Sequence, residues 1–251
     1  MFINEWNVAE AGAKLFNIEM GNQSVKTSSE WVAGSLIPSL PGVSFGFKSL
    51  TLTVLVYGTS RNEARQRVSE ILGHLTEAVD LYLDRMETIF RGTLKGHSVT
   101  EPKFLPGWSG YRRFIQLTLN FDGYEYGEEI TVEKVGDSGN IQKLDVINPG
   151  SGKTPARLVI ECLDKTRSEC VIDGLQSGEI RIPRIYTQET YDLDGETGVM
   201  TITRAGGAVS LLTEDAEIWE LPAIAPGPNR ITITGAGSGA TIKLTFKPRY
   251  I

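Results

Sequence analysis

The feature that most constrains the fold is one amphipathic helix in a chain that otherwise shows the pattern of strands. Apolar residues recur at helical spacing from Ala64 to Val79, and charged residues occupy the other face. Ser60 and Glu63 have the spacing of a capping box just before this apolar stripe. The pattern therefore predicts a helix over roughly residues 61–79.

Alternating apolar and polar residues lie on both sides of this helix. The segments 50–57 and 115–121 show the period of two that a half-buried strand requires, and further strand signals occur at 81–83 and 88–99. One helix among such strands predicts an α+β first domain, in which the helix covers one face of a largely antiparallel sheet.

The second half of the chain carries no helical stripe. Short strand candidates separated by Gly-rich turns predict an antiparallel β-sandwich there, with strands near 156–163, 169–172, 179–185, 199–204, 230–234 and 241–246. We expect the last two to pair as a hairpin around Gly235–Ala240. The composition becomes acidic and Gly-rich over 122–140, so we predict two domains, residues 1–134 and 135–251.

The segment 21–48 is too long for a plain loop and too apolar for a linker. Prolines and glycines interrupt its apolar residues, which include Trp31, Val32, Leu36, Ile37, Leu40 and Phe45. A segment of this kind either folds over the core of its own domain or packs on something outside that domain, and the residues alone leave both alternatives open.

Charge and cysteine content argue against several classes of protein. The chain has 25 Lys and Arg residues against 31 Asp and Glu residues, a net charge of −6, which does not favour a basic nucleic-acid-binding face. Cys162 and Cys170 are too few for a disulfide scaffold or a four-cysteine zinc site. We expect two buried free thiols, with a disulfide as the alternative. The chain lacks a secretory signal pattern and a long apolar run, so we expect synthesis in a cytoplasm and no membrane span.

No group of residues forms a convincing reactive site. Gly150–Thr154 resembles the end of a phosphate-binding loop, but Ile147 stands where the first glycine is needed and Pro155 follows. Asp192 and Asp194 resemble part of a calcium loop that lacks ligands at both ends, which favours a plain Asp-Gly turn. We therefore predict no catalytic residue, metal or cofactor, and a binding or structural role.

Several short motifs follow one another along nearly the whole chain. They are Phe2–Asn4, Ala9–Leu15, Gly58–Arg61, Leu81–Asp84, Leu119–Tyr124, Pro222–Ile231 and Phe246–Tyr250. Their order resembles the distal tail protein (Dit) family of siphophages and prophages of Gram-positive hosts. The resemblance implies an N-terminal ring-forming domain, a belt hairpin at 21–48 that joins neighbouring subunits, and a C-terminal galectin-like β-sandwich.

The resemblance also implies a function as the structural hub of a phage tail tip, or baseplate. A homo-hexameric ring would join the major tail tube protein to the tail-associated host-contact protein (Tal-like). Its channel would pass the tape-measure protein and DNA without specific DNA binding, and a receptor-binding protein is a further candidate partner. The belt residues Trp31, Val32, Leu36, Ile37, Leu40 and Phe45 become candidate inter-subunit contacts in the virion tail tip.

One alternative function remains open from the residues. A galectin-like sandwich can recognise a cell-wall glycan, and Trp219 is the one tryptophan of the second half that could stack on a sugar. A tryptophan in the core of the sandwich is the simpler interpretation. The alternative function is therefore that of a lectin-like carbohydrate-binding protein.

Overall fold

The computed structural model shows a chain built mainly of antiparallel strands. It describes residues 1–23, 25–27, 43–84, 86–101, 113–136, 140–162, 166, 169–212, 216–218, 220–237 and 239–250. The chain divides into two compact units, Met1–Tyr126 and Gly127–Tyr250. The division falls earlier than the boundary that we placed after residue 134, because the strand Ile130–Val135 pairs within the second unit.

One antiparallel sheet and one α-helix make up most of the first unit. Its elements are β1 (Phe2–Ile3), β2 (Trp6–Asn7), a 3₁₀-helix (Val8–Ala11), β3 (Ala13–Met20), β4 (Val25–Thr27), β5 (Val43–Phe45), β6 (Lys48–Gly58), α1 (Arg61–Gly73), β7 (Val79–Tyr82), β8 (Ile89–Thr100) and β9 (Arg113–Tyr126). The sheet has the strand order β2-β1-β7-β8-β9-β6-β3, and β4 pairs with β5 separately.

The predicted capping box begins helix α1. The Ser60 hydroxyl accepts a hydrogen bond from the Glu63 N–H at 3.2 Å, and the Glu63 carboxylate accepts one from the Thr59 N–H at 2.6 Å. These two bonds satisfy backbone donors that the first turn of a helix leaves without an internal partner.

Helix α1 ends at Gly73, so its predicted extension to residue 79 is wrong. Leu75 lies in the turn that follows, and Val79 begins β7, where it pairs with Gly92 of β8. Leu75 and Val79 are both buried in the same core as the helix. Helical spacing alone therefore could not show that the helix had already ended, because both residues still face that core.

The core of the first unit lies between α1 and one face of the sheet. The fully buried residues Leu50, Leu52 and Val54 of β6 alternate with more exposed neighbours, as the period of two predicts. The helix adds Ala64, Val68 and Ile71 to the same cluster. The strands predicted at 50–57 and 115–121 are confirmed as the centres of β6 and β9.

The second unit is an antiparallel sandwich. Its elements are β10 (Ile130–Val135), β11 (Ile141–Asn148), β12 (Thr154–Cys162), β13 (Cys170–Asp173), β14 (Ile180–Ile182), β15 (Glu189–Asp194), β16 (Met200–Thr203), β17 (Val209–Leu211), β18 (Ala223–Ile224), β19 (Gly227–Thr234), β20 (Thr241–Phe246) and β21 (Arg249–Tyr250). The larger sheet has the order β10-β20-β12-β15-β16-β17, with β18 beside β12, and the smaller has the order β11-β19-β13-β14.

The two sheets of the second unit share a single apolar core. Leu144 and Ile231 enter it from the smaller sheet, and Leu158 and Ile242 enter it from the larger. The predicted fold class, mainly β with one major helix and a C-terminal antiparallel sandwich, is confirmed.

The predicted hairpin of residues 230–234 and 241–246 is wrong. β19 pairs with β11 and β13 in the smaller sheet, whereas β20 pairs with β10 and β12 in the larger. The connection between them crosses from one sheet to the other. At its start, Gly235 has a φ of +89°, and a Cβ there would lie 1.9 Å from the Glu169 carbonyl oxygen, so this position requires glycine.

Candidate functional site

The residues predicted to contact a neighbouring subunit lie almost entirely outside the described ranges. This applies to Trp31, Val32, Leu36, Ile37 and Leu40, and also to Trp219 of the alternative function. Of Phe45, only the backbone in β5 is described. The roles of these side chains therefore remain predictions.

The base of the predicted belt hairpin is described, and it continues the pairing of the sheet. β3 and β6 pair until Met20 stands opposite Leu50. Val25 lies five residues after Met20, and its partner Phe45 lies five residues before Leu50. Thr27 then stands opposite Val43. Because each step along one strand is matched by one step back along the other, the β4–β5 pair keeps the register of the β3–β6 pair.

A groove of about 650 Å³ lies in the first unit where the two ends of its sheet come near each other. One wall is the edge strand β3, and the other combines β1, β2 and the turn after β7. Apolar side chains, among them Phe2, Val8, Leu15, Phe16, Ile18 and Met86, line it together with the polar side chains of Asn7, Lys14, Asn17 and Asp84. In the described part of the chain, β3 hydrogen-bonds to β6 alone, so its other edge faces this groove without a strand partner.

Phe16 is the largest exposed side chain along this groove. The register of β3 against β6 shifts between Leu15 and Asn17, which leaves Phe16 as the extra residue of a β-bulge. Its relative exposure is 68 %, and Phe2 on the opposite wall is 39 % exposed. The sequence pattern does not predict this groove. The adjacent apolar residues Leu15 and Phe16, which break the alternation expected of a strand, were the available signal.

The face of the first-unit sheet opposite α1 is polar and uncharged at its centre. The outward positions of β6 run from Ser49 to Tyr57, and those of β9 from Phe114 to Asn120, without a charged side chain. The Thr51 hydroxyl donates a hydrogen bond to Asn120 Oδ1 at 2.9 Å across these two strands. This centre offers no cation that would bind a phosphate group.

Cations beside this uncharged centre are paired with carboxylates. Lys95 lies 3.5 Å from Asp122, and Arg91 lies 3.6 Å from Asp80. These pairs partly neutralise the positive charge near the sheet face, so they do not form a basic patch of the kind that nucleic-acid-binding proteins present.

The outer face of the larger sandwich sheet lacks an aromatic platform in the described ranges. Its three central strands present aliphatic, hydroxyl and charged side chains outward, namely Pro155, Arg157, Val159, Glu161, Thr190, Asp192, Asp194, Thr241, Lys243 and Thr245. On this face, the Arg157 guanidinium donates hydrogen bonds to both carboxylate oxygens of Asp192. No described residue there offers the stacking surface for a sugar that the alternative function needs.

The segment Gly150–Thr154, which resembles the end of a phosphate-binding loop, forms hydrogen bonds and an ion pair within the protein. The Gly150 N–H donates to Asn148 Oδ1 at 3.0 Å, and the Ser151 and Gly152 N–H groups donate to the Arg249 carbonyl at 3.0 and 3.1 Å. Lys153 forms an ion pair with Glu220 at 3.0 Å. Because these donors already have partners, the loop cannot hold a phosphate in the way the motif suggests.

The remaining motifs also have structural roles. Asp194 Oδ1 accepts hydrogen bonds from the Glu196 and Thr197 N–H groups at 2.8 and 3.2 Å, which confirms the turn predicted between β15 and β16. Cys162 and Cys170 are buried thiols that form no disulfide, as predicted, and burial raises the pKa of the Cys170 thiol to about 12.

The described ranges contain no group of three or more His, Cys, Asp or Glu side chains that could hold a metal ion. Within the same ranges, no helix combines the length and the apolar character needed to cross a membrane. The candidate functional surfaces are therefore the groove beside β3, the uncharged sheet face and the hairpin that begins at β4.

No protein-family model and no curated protein matches this chain by sequence. Solved structures do match it. The SPP1 Dit (gp 19.1) protein, described as a paradigm of the hub adsorption apparatus in phages infecting Gram-positive bacteria, superposes with a TM-score of 0.67. The two chains are 14 % identical, and the match covers 98 % of this chain and 97 % of SPP1 Dit. This chain has the Dit fold.

Structures of the phage P2 baseplate in its activated conformation are similar as well. A chain of the calcium-containing baseplate matches with a TM-score of 0.52 at 11 % identity, over 98 % of this chain and 94 % of that one. A chain of the strontium-containing baseplate gives a TM-score of 0.51 at 11 % identity, over 96 % and 92 %. Because the matches cover both units, the sheet with its helix and the sandwich together belong to the Dit fold, and the resemblance is confirmed at the level of the fold.

Proposed function

We propose that this protein is a non-enzymatic structural hub of a siphophage tail tip. The observation that carries the proposal is the likeness to SPP1 Dit, a hub protein of an adsorption apparatus, over 98 % of this chain. As a hub, it forms a homo-hexameric ring in the virion tail tip. The ring joins the tail tube protein on one side to a tail-associated host-contact protein on the other.

The segment 21–48 is proposed to join neighbouring subunits of this ring. Support comes from the β4–β5 pair, which keeps the register of the β3–β6 pair, and from the apolar residues Trp31, Leu36 and Ile37 that follow β4 in sequence. Burial of such side chains at about 25 cal/mol per Å² stabilises each contact by several kcal/mol. A closed ring repeats that contact, and closure makes the last one effectively intramolecular.

A sheet face without charged side chains at its centre agrees with the proposed passage of DNA without specific binding. A wall of hydroxyl and amide groups, such as Thr53, Thr118 and Asn120, lacks the cations that retain a phosphate backbone. The net charge of −6 acts in the same direction, because it repels DNA at longer range.

Imaging of the purified protein tests the hub directly. We expect negative-stain images to show six-lobed rings, and light scattering to give the mass of a hexamer. Discrete monomers at all concentrations tested would contradict the proposal.

The variant Trp31→Glu tests the role of the hairpin. We expect it to dissociate the ring while circular dichroism shows both units still folded. Ser29→Glu adds the same charge two residues away at a polar position and should leave rings intact. If the Trp31→Glu protein remains hexameric, the belt does not lie where we place it.

A further inference from the structure

We infer that two copies of this chain pair through β11, as antiparallel strands related by a two-fold axis at Leu144. The pairing joins the smaller sheets of two sandwiches into one continuous sheet. It lies in the second unit and uses no residue of the segment 21–48, so it is independent of the proposed ring.

β11 is an edge strand with one free side. Among the described residues, it pairs with β19 alone. The Gly235 N–H donates to the Asn140 carbonyl at 2.9 Å, and the residue pairs of an antiparallel ladder alternate between bonded and non-bonded. The even-numbered residues of β11 therefore bond to β19. The backbone N–H and C=O groups of the odd-numbered residues point to the free side.

The side chains at the odd-numbered positions are exposed, and two of them are large and apolar. Ile141 is 55 % exposed and Ile147 is 70 % exposed, whereas the polar residues Gln142 and Asn148 are buried at the same two ends of the strand. A single copy thus leaves both isoleucines in solvent. A long edge strand with exposed apolar side chains is a template for pairing with another strand.

The outward row of β11 is complementary to its own reverse. The row consists of Ile141, Lys143, Asp145 and Ile147. In an antiparallel pair centred on Leu144, each lysine lies opposite the aspartate of the second copy. Each Ile141 likewise lies opposite the second copy's Ile147. Opposite charges and apolar side chains at directly facing positions stabilise a sheet.

The same charges disfavour the neighbouring registers. A shift of two residues places Lys143 opposite Lys143 in one direction and Asp145 opposite Asp145 in the other, and like charges directly opposite each other are destabilising. A shift of one residue places the outward side chains of one strand opposite the inward side chains of the other. The occupant that β11 fits is therefore a second copy, held in a single register.

One described contact on the free side has to be exchanged for the pairing. Lys134 Nζ of β10 donates to the Lys143 carbonyl at 3.3 Å, which is beyond the usual range for such a bond. Its flexible stem allows the ammonium group to move to water. β11 has 8 residues, or about 27 Å, so the paired strands bury little area and form a transient contact.

Disulfide trapping in the full-length protein tests both the pairing and its register. The double variant Ile141→Cys, Ile147→Cys places thiols on directly opposite residues, whose Cα atoms are about 5.5 Å apart and within the reach of a disulfide. After treatment with a mild oxidant, we expect a covalent dimer and no larger species on a non-reducing denaturing gel. The wild-type protein controls for Cys162 and Cys170, which are completely buried.

Each single variant is a matched control with the same charges. In either one, the two introduced thiols lie at opposite ends of the paired strands, roughly 20 Å apart, so we expect no covalent dimer. An equal yield of dimer from a single variant overturns the inference. No dimer from the double variant also overturns it, and is the result expected if a strand of another protein covers β11.

Charge reversal in the double-cysteine background tests the complementarity. Lys143→Asp places carboxylates opposite each other, so we expect the yield of dimer to fall about fivefold. The further change Asp145→Lys restores opposite charges and should restore the yield. Circular dichroism checks the fold, because Arg230 then loses the carboxylate that it contacts at 2.6 Å. A yield that stays low in a folded protein overturns the inference, and the ring proposal is unaffected by any of these results.

Discussion

Glu63 links the start of α1 to the strand before it. Its carboxylate accepts hydrogen bonds from the Thr59 hydroxyl and N–H, and it pairs with Arg67 at 2.8 Å. The hydrogen bond from the Thr59 side chain is the largest cause that holds the pKa of Glu63 below its ordinary value of 4.5. Arg67 donates in turn to the Tyr57 carbonyl at 2.7 Å, so one carboxylate connects the helix, its cap and β6.

This arrangement predicts a pH-dependent effect of Glu63→Gln. Because the folded-state pKa is lowered, the ionised carboxylate stabilises the fold above pH 4.5, and that stabilisation disappears as the pH falls through the folded-state value. We expect the variant to have a lower Tm than the wild type at about pH 7, and the difference to shrink as the pH falls through the lowered pKa of Glu63.

Thermal unfolding followed by circular dichroism measures this effect. Glu70→Gln on the exposed face of α1 is the control, since no hydrogen bond or ion pair is described for Glu70, and it should leave Tm unchanged over the same pH range. A Tm difference for Glu63→Gln that stays constant with pH would show that its charge does not support the cap.

At the level of elements, the sandwich of the second unit depends on where the chain crosses from one sheet to the other. β19 and β20 are consecutive and look alike in sequence, yet they belong to opposite sheets of the sandwich. The inward residues Ile233 of β19 and Ile242 of β20 are both fully buried. A paired hairpin and a crossing between sheets would bury both residues equally well. The close approach of Gly235 to the Glu169 carbonyl is the local feature that belongs to the crossing.

Gly235→Ala tests how strongly this crossing constrains the second unit. We expect a loss of about 3 kcal/mol or more in the free energy of unfolding, because backbone overlap adds to the cost of a positive φ. Gly206→Ala is a matched control, with a φ of +96° but no atom within 4 Å of the added Cβ, and should cost about 1–2 kcal/mol. Urea unfolding measures both. Equal losses would mean that the close approach contributes nothing.

For the whole molecule, each unit contains a core of its own, and the proposed ring depends on neither core. In the proposed ring, assembly depends instead on the apolar segment 21–48. In that proposal, each subunit folds around its own two cores, and the same contact is repeated around the ring.

The proposed contact predicts assembly that is insensitive to salt. Residues 28–42 carry one charged side chain, Glu30, so burial of apolar surface dominates and the screening of charges has little to weaken. We expect rings to persist when NaCl is raised from about 0.1 M to about 1 M, as measured by sedimentation velocity. Dissociation at high salt would indicate an interface held mainly by ion pairs.

Sequence periodicity identified the elements whose apolar residues form an uninterrupted pattern. The start of α1 and the strands β6, β9 and β20 could be predicted because amphipathic spacing and a capping box are local properties. β11 was not predicted because, at its ends, polar residues are buried and apolar residues are exposed. Asn148 is buried there while Ile147 is 70 % exposed.

That inversion depends on partners distant in sequence. Asn148 can be buried because its amide donates to Thr154 Oγ1 and to the Ala225 carbonyl, both at 3.1 Å. Partners distant in sequence also decide where α1 ends and which sheet each strand joins. The same holds for the groove beside Phe16. By itself the sequence determined which segments alternate and where the one helix begins. Only the tertiary structure decided which segments meet, because backbone pairing and burial depend on neighbours that periodicity does not specify.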